Sequence, residues 1–362
     1  MSRIVMAMSG GVDSSVAAWL LREQGHDVVG VFMRHGIQAE KTSCVGGKEG
    51  SAHKQGCCSA ADAEDARRVA DRLGIPFYAL NFEAEFSRIV DYFVDEYIVG
   101  RTPNPCVVCN TWLKFGKLFT YADGIGAEQV ATGHYARLLV TGVTNPPALC
   151  RGLDASKDQS YVLFGIGRLF LPRLCLPLGA YHKGEIRRMA ADLGLRVAEK
   201  RDSQEICFIP DQDHARFVRG QRDSPDTSGE IVTTDGTVVG RHDGLERFTI
   251  GQRKGLGIAF GEPRFVVRLE AETRRVVVGT REELARKELT AGEANWLIDP
   301  PSDVFRCHVK MRYRTAAFAA TVEPLGGDRF HVAFDEPCYG VAPGQAAVCY
   351  QEDRVLGGGW IE

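Results

Sequence analysis

A chain of 362 residues with 44% hydrophobic and 25% charged side chains can fill two or three separate cores and is neither a disordered nor a fibrous composition. A formal net charge of −3 excludes a protein that coats polyanions indiscriminately. No run reaches the ~18 consecutive apolar residues of a membrane span, and there is no basic-then-apolar export layout. The expectation is therefore a cytoplasmic protein without membrane contact, whose eleven cysteines are thiols, metal ligands or catalytic groups rather than a disulfide scaffold.

In chain order, residues 4–8 are short and apolar and read as a buried strand, and residues 15–24 carry Val16, Trp19 and Leu20 at helical spacing before Gly25. Between them lies Ser9-Gly10-Gly11-Val12-Asp13-Ser14-Ser15, a glycine-rich turn from strand to helix. Such a turn aims backbone N–H groups and the positive end of a helix dipole at one point, which suits a phosphate, while Ser and Asp serve phosphate and Mg²⁺. The spacing is neither the Gly-Lys-[Ser/Thr] phosphate loop nor the dinucleotide Gly-x-Gly-x-x-Gly.

Further strands are expected at 28–33, 77–80 and 129–132, and helices at 60–73, 85–99 and 111–122, with Phe86, Ile89, Val90, Phe93 and Tyr97 on one face. This alternation predicts an α/β fold, a parallel sheet with helices on both faces and a ligand crevice at the carboxyl ends of the strands. Residues 35–60 read as a long loop; Cys44, Cys57 and Cys58 within it make at most a weak metal site. Cys150, Cys175, Cys307, Cys338 and Cys349 sit among apolar neighbours and read as core.

Beyond about residue 211 the pattern becomes antiparallel β: strands at 264–269 and 275–278, then 305–314, 330–334, 346–350 and 355–361, a small barrel or sandwich. In 305–314 the alternation puts Phe305, Cys307, Val309, Met311 and Tyr313 inward and Arg306, His308, Lys310, Arg312 and Arg314 outward. Residues 241–281 hold nine Lys/Arg against five Asp/Glu, a basic strip suited to selective nucleic-acid contact.

Two cysteine groups bear on chemistry. Cys106 and Cys109 flank the entry of a helix, three residues apart after Pro105, where the helix dipole favours thiolate. Cys207 sits in a short apolar piece that Pro210 ends, and alone reads as core.

The loop resembles the Ser-Gly-Gly-x-Asp-Ser signature of the ATP pyrophosphatases, which split ATP to AMP and pyrophosphate while adenylating an oxygen. With Arg101-Thr102-Pro103-Asn104-Pro105, Cys109-Asn110, Thr132-Gly133-His134-Tyr135, Lys157-Asp158-Gln159-Ser160-Tyr161, the Cys207 segment and Gly251-Gln252-Arg253-Lys254-Gly255-Leu256-Gly257 in one order, essentially the whole chain is similar to the tRNA-specific 2-thiouridylases. The resemblance implies an adenine-nucleotide α-hydrolase-like domain (1–210), a small central domain (211–284) and a C-terminal tRNA-contacting β-barrel (285–362). It implies ATP and Mg²⁺, a tRNA partner, a protein that relays sulfur, and a monomer.

By the same resemblance Cys109 is the nucleophile and Cys207 the persulfide carrier, the two ending as a disulfide. ATP contacts fall on Ala7, Met8, Ser9, Gly10, Gly11, Val12, Asp13, Ser14, Met33 and Gly133. Target-base contacts fall on Asn104, Pro105 and Cys106, and other tRNA contacts on Lys157, Asp158, Gln159, Arg312 and Tyr313, the last turned outward. Cys106 stands where many members carry an acid/base Asp, which puts that role in doubt. A second disposition stays open, with Cys106, Cys109 and Cys207 holding three irons of a [4Fe–4S] cluster. Two other functions also stay open: a small-molecule adenylating synthetase, and a non-catalytic, nucleotide-regulated RNA-binding protein. His134 reads as a structural histidine before a catalytic base.

Overall fold

The computed structural model describes residues 1–36, 59–140, 146–200, 206–209, 213–221 and 225–362, so Cys44, Cys57 and Cys58 lie outside the described residues. The chain gathers into two compact units, Met1–Arg88 with Val108–Ser160 and Leu169–Gln212, and Ile89–Val107 with Tyr161–Arg168 and Asp213–Glu362.

In the first unit β1 (Arg3–Ala7), β2 (Asp27–Arg34), β3 (Phe77–Asn81) and β4 (Gln129–Ala131) are joined by β7 (Leu174–Cys175) beyond a hairpin of β5 (Ala136–Leu139) and β6 (Ala148–Arg151). The sheet runs β3-β2-β1-β4-β7 and is parallel throughout. Successive residues Ile4, Val5 and Met6 of β1 are all fully buried, so both faces of the sheet are covered. The cover comes from helices such as α1 (Val12–Glu23), whose Val16, Ala17 and Leu21 enter the core, and α2 (Ala60–Leu73). α2 matches the sequence expectation at both ends. Ser59 and Asp62 form a reciprocal capping box at its start, and Gly74 at φ 64° stops it.

α3 (Glu83–Ile98) runs from the first unit into the second, burying Ile89, Val90, Phe93 and Tyr97 in the latter. α4 (Pro105–Val108) follows, then a π turn over Cys109–Lys114, then α5 (Phe115–Gly124). The expected single α-helix at 111–122 is thus corrected. The Phe115 N–H bonds the Asn110 carbonyl, five residues back, so the turn that Cys109 opens is wider than an α turn. α6 (Lys183–Asp192) packs in the first unit and α7 (His214–Gln221) in the second.

The second unit holds two β structures. β8 (Gly229–Thr233), β9 (Val238–His242), β10 (Phe265–Glu270) and β11 (Arg275–Gly279) form a sheet in the order β10-β11-β8-β9 around Ile231, Val266, Val276 and Val278. β12 (Arg286–Trp296), β13 (Phe305–Lys310), β14 (Phe318–Leu325), β15 (Arg329–Cys338), β16 (Ala346–Gln351) and β17 (Arg354–Ile361) form a six-stranded antiparallel barrel, closed by pairing β12 with β17. Val309, Val322, Phe330 and Val332 fill it and are fully buried. Among the described residues no helix is long and apolar enough to cross a membrane.

The outward basic stripe is corrected. β13 ends at Lys310, so the alternation stops there and 312–314 turn away. Lys310 is buried against the rings of Tyr161 and Tyr313, Arg312 is half-buried, and Tyr313 is exposed. Arg306 does face outward but pairs with Asp335. In the strip 241–281, Arg264, Arg268, Arg274 and Arg275 are each paired to a carboxylate, so its excess charge is smaller than the sequence count.

Candidate active site

The Ser9–Ser15 run leaves β1 at its carboxyl end and opens α1, with Gly11 at the N-cap. The first N–H groups of a helix have no acceptor within it, so this turn offers donors and a positive dipole end. Side chains hold the turn open: Ser14 Oγ accepts from the Ser9 N–H at 3.1 Å, and Ser15 Oγ donates to the Gly11 carbonyl at 2.8 Å. Gly10 has φ 71°, and a Cβ there would sit 2.1 Å from the Asp62 carbonyl oxygen. Only glycine allows the first turn of α2 to press on the loop this closely. Gly133, just past β4, is also close, with its notional Cβ 2.9 Å from Ser14 N. Met8 N–H bonds the Val31 carbonyl at 2.8 Å, and Met33 stands near the end of β2.

Beside the loop, Asp13 accepts two bonds of 2.7 Å from Lys183 Nζ and one of 2.6 Å from the Tyr135 hydroxyl. Lys183 is the first residue of α6 and is itself buried. Tyr135 is clasped by Gln159, whose Oε1 accepts from the Tyr135 N–H at 2.9 Å while its own N–H donates back at 2.8 Å. Asp158 is buried and accepts from the Gly152 and Ser160 N–H groups, both at 3.0 Å. Asp158 and Gln159 thus shape the wall behind Asp13, while Lys157 next to them is half-exposed.

His134 is buried, with Nδ1 2.7 Å from Thr132 Oγ1 and its ring 6.2 Å from Phe115. Burial, reinforced by the Lys114 charge, holds its pKa well below 6.5, so the imidazole is neutral. The unfolded chain therefore binds a proton that the native state refuses. This contribution is intact above about pH 6.5 and is lost as pH falls below it. His242 is lowered too, mainly by burial, and acts in the same direction. The expected result is that the urea midpoint drops between pH 7.5 and pH 5.5 and drops less in His134→Gln; equal drops in the two proteins would exclude His134 as a source.

Cys109 opens the π turn and is half-buried. Its segment is fixed by Phe115 and Lys114 against His134, and so against the end of β4 next to the loop. Cys207 is also half-buried. Phe208 beside it meets the Phe86 ring edge-on at 5.7 Å, and Phe86 stacks on His35 at 4.4 Å, immediately past β2. The loop, the Cys109 turn and the Cys207 turn are therefore all anchored at the carboxyl ends of one parallel sheet, where such sheets bind ligands. Neither cysteine is in a disulfide. Among the described residues no three His, Cys, Asp or Glu side chains converge to hold a single metal ion.

The remaining predicted residues lie in the second unit. Asn104 N–H donates to Tyr92 Oη at 3.3 Å, Asn104 Oδ1 accepts from the Val107 N–H, and its side chain also bonds Tyr161. Gln345 Nε2 donates to the Thr102 and Pro103 carbonyls at 3.0 and 3.1 Å. Asn104 and Pro105 are thereby held on the barrel, with Cys106 exposed beyond them. Tyr161 Oη donates toward the Met311 and Ala346 carbonyls, beside Arg312, which donates to the Ile250 carbonyl at 2.6 Å.

Sequence reasoning missed Lys183 and Gln345. Their partners lie far away in the chain, and no local spacing marks them; Tyr135 was quoted within a motif without a role.

Comparison with known proteins agrees with this architecture. The tRNA methyl transferase HUP domain family matches residues 2–211, the tRNA methyl transferase PRC-barrel domain matches 217–280, and the aminomethyltransferase β-barrel domain matches 286–361. The tRNA-specific 2-thiouridylase MnmA of Rhodopirellula baltica is 53% identical over 390 residues, spanning 100% of this chain and 96% of that protein. Its counterpart in Geobacter metallireducens is 50% identical, spanning 99% and 96%. At that identity over the full length of both chains, the protein described here belongs to the tRNA-specific 2-thiouridylase family.

Proposed function

We propose that the chain is an ATP-dependent sulfurtransferase that replaces O2 of the wobble uridine of tRNA by sulfur, with Cys207 as sulfur carrier and Cys109 as resolving nucleophile. One observation carries this reading: an anion-binding turn and two cysteine segments are anchored at the carboxyl edge of the same sheet.

The substrate is MgATP. The loop N–H groups and the α1 dipole stabilise the charge that develops on the departing pyrophosphate, and Gly133 leaves the nucleotide room beside the loop. The uridine O2 attacks the α-phosphorus, forming an O–P bond and releasing pyrophosphate. A relay protein loads Cys207 as a persulfide. Its terminal sulfur attacks C2, forming the C–S bond, and AMP leaves with the oxygen. The Cys109 thiolate then attacks Cys207 Sγ and breaks the S–S bond, leaving 2-thiouridine and a Cys109–Cys207 disulfide. An external dithiol returns both to thiols.

On the RNA side, Asn104, Pro105 and Cys106 meet the target base. Lys157, Arg312 and the exposed Tyr313 supply cationic and stacking contacts, and Asp158 and Gln159 act by holding the Tyr135 wall. The exposed Cys106 thiol offers a weak donor in place of a carboxyl group.

The test is incubation with unmodified tRNA, MgATP, a dithiol reductant and a persulfide source. Nucleoside mass spectrometry should find 2-thiouridine at the wobble position, with one AMP per sulfur. Undiminished AMP formation without tRNA would favour an adenylating synthetase instead. Binding of tRNA without AMP would favour a non-catalytic protein.

A further inference from the structure

Lys200 lies 190 residues along the chain from Gly10, yet its ammonium reaches the phosphate-binding turn itself. Nζ donates to the Gly10 carbonyl at 2.9 Å, to Asp62 Oδ1 at 2.6 Å and to Asp65 Oδ2 at 2.9 Å. Asp62 is buried, and its other oxygen accepts from the Ser59 N–H at 3.0 Å, within the cap of α2. The backbone of Lys200 is pinned in turn. Its N–H bonds the Val197 carbonyl at 3.0 Å, and Arg187 Nη1 binds the Ala198 and Lys200 carbonyls at 2.8 and 3.1 Å. Arg187 lies on α6, one turn beyond the Lys183 that holds Asp13. The α6 arm therefore grips the turn at two points, the Asp13 carboxylate and the Gly10 carbonyl.

The second grip has a geometric consequence. A peptide unit is planar and trans, so its C=O and N–H point in opposite directions. Holding the Gly10 carbonyl on Lys200 turns the N–H of Gly11 the other way. A glycine pair offers little steric resistance to a flip of that peptide, and a flip would present a carbonyl dipole, repulsive to phosphate, where a donor is needed.

We propose that Lys200 is a positioning residue for nucleotide binding, holding the Gly10 carbonyl back so that the Gly11 N–H faces the triphosphate. Burial alone would lower the pKa of its ammonium, but the Asp62 and Asp65 carboxylates outweigh that and raise it, so the charge that grips the carbonyl persists at physiological pH. Lys200 also precedes the sulfur carrier Cys207 by seven residues, so the segment bearing that carrier begins at a side chain fastened to the nucleotide turn.

The proposal rests on the nucleotide reading of the turn. Its test is equilibrium calorimetry with the Mg²⁺ complex of α,β-methylene-ATP, together with tRNA binding, on wild type, Lys200→Met and Lys200→Arg. Lys200→Met should weaken the analogue by about tenfold or more and leave tRNA affinity within about twofold. Lys200→Arg, which keeps the charge and the carboxylate partners, should recover most of the loss. Unchanged analogue affinity in Lys200→Met overturns the proposal. So does an equal loss of both ligands that Lys200→Arg does not repair, since that marks a general lesion of the fold. Failure of the wild type to form 2-thiouridine would count against the proposed function and leave these titrations readable.

Discussion

The Cys207→Ser variant is expected to form 2-thiouridine at least about 10³-fold more slowly than wild type, because serine cannot carry a persulfide. Pyrophosphate release should persist, since the loop, Asp13 and Gly133 are untouched. Cys109→Ser is expected to fail at a different step. The persulfide still forms and still attacks C2, but no thiolate breaks the S–S bond, so a uridine–S–S–Cys207 adduct accumulates. A tRNA–protein band on non-reducing gels, released by dithiothreitol as thiolated tRNA, is the signature. If Cys109→Ser thiolates at the wild-type rate, or if the adduct forms in Cys207→Ser, the assignment of carrier and resolving thiol is wrong.

The Gly10→Ala variant should lose both stability and its response to nucleotide. Its backbone lies at φ 71°, where a non-glycine residue costs on the order of 1–3 kcal/mol. The added carbon would also lie 2.1 Å from the Asp62 carbonyl oxygen, a main-chain atom in a capped helix turn that cannot swing aside. Relieving the clash moves either α2 or the turn, at a further cost of about 1–3 kcal/mol, and moving the turn disperses the N–H groups meant for phosphate. The expected outcome is lower thermal stability with MgATP no longer raising the melting temperature. Gly25→Ala serves as control: its φ of 81° is similarly strained, but nothing lies within 4 Å of the new carbon. That variant should lose stability and keep its response to MgATP. A Gly10→Ala protein that MgATP still stabilises normally would refute the role given to the turn.

Elements whose signals are local were legible from the residues. Ser59, Asp62 and Gly74 mark the ends of α2, and the apolar run of β1 followed by glycines places the anion turn before any coordinate is known. Four barrel strands were legible through alternation, until β13 stopped at Lys310 and left Arg312 half-buried, whereas β12 and β14 were not read. Inward and outward lose their meaning where a strand ends, and a lysine can lie across tyrosine rings. The π turn at Cys109 has no periodicity of its own to read. Lys183 and Lys200 were invisible for another reason: each serves a partner more than a hundred residues away, which only the finished fold brings near.

The closed ring of strands from β12 to β17 has consequences for what its surface can present. Each of the six strands pairs with two others of the ring, so most of their main-chain donors and acceptors are already spent within it. What the ring shows to solvent is then chiefly individual side chains and the hairpin tips between strands. Such contacts are discrete and can be exchanged one at a time without disturbing the wall that carries them. The ring can therefore exchange its surface residues one at a time while its buried wall of Val309, Val322, Phe330 and Val332 stays as it is.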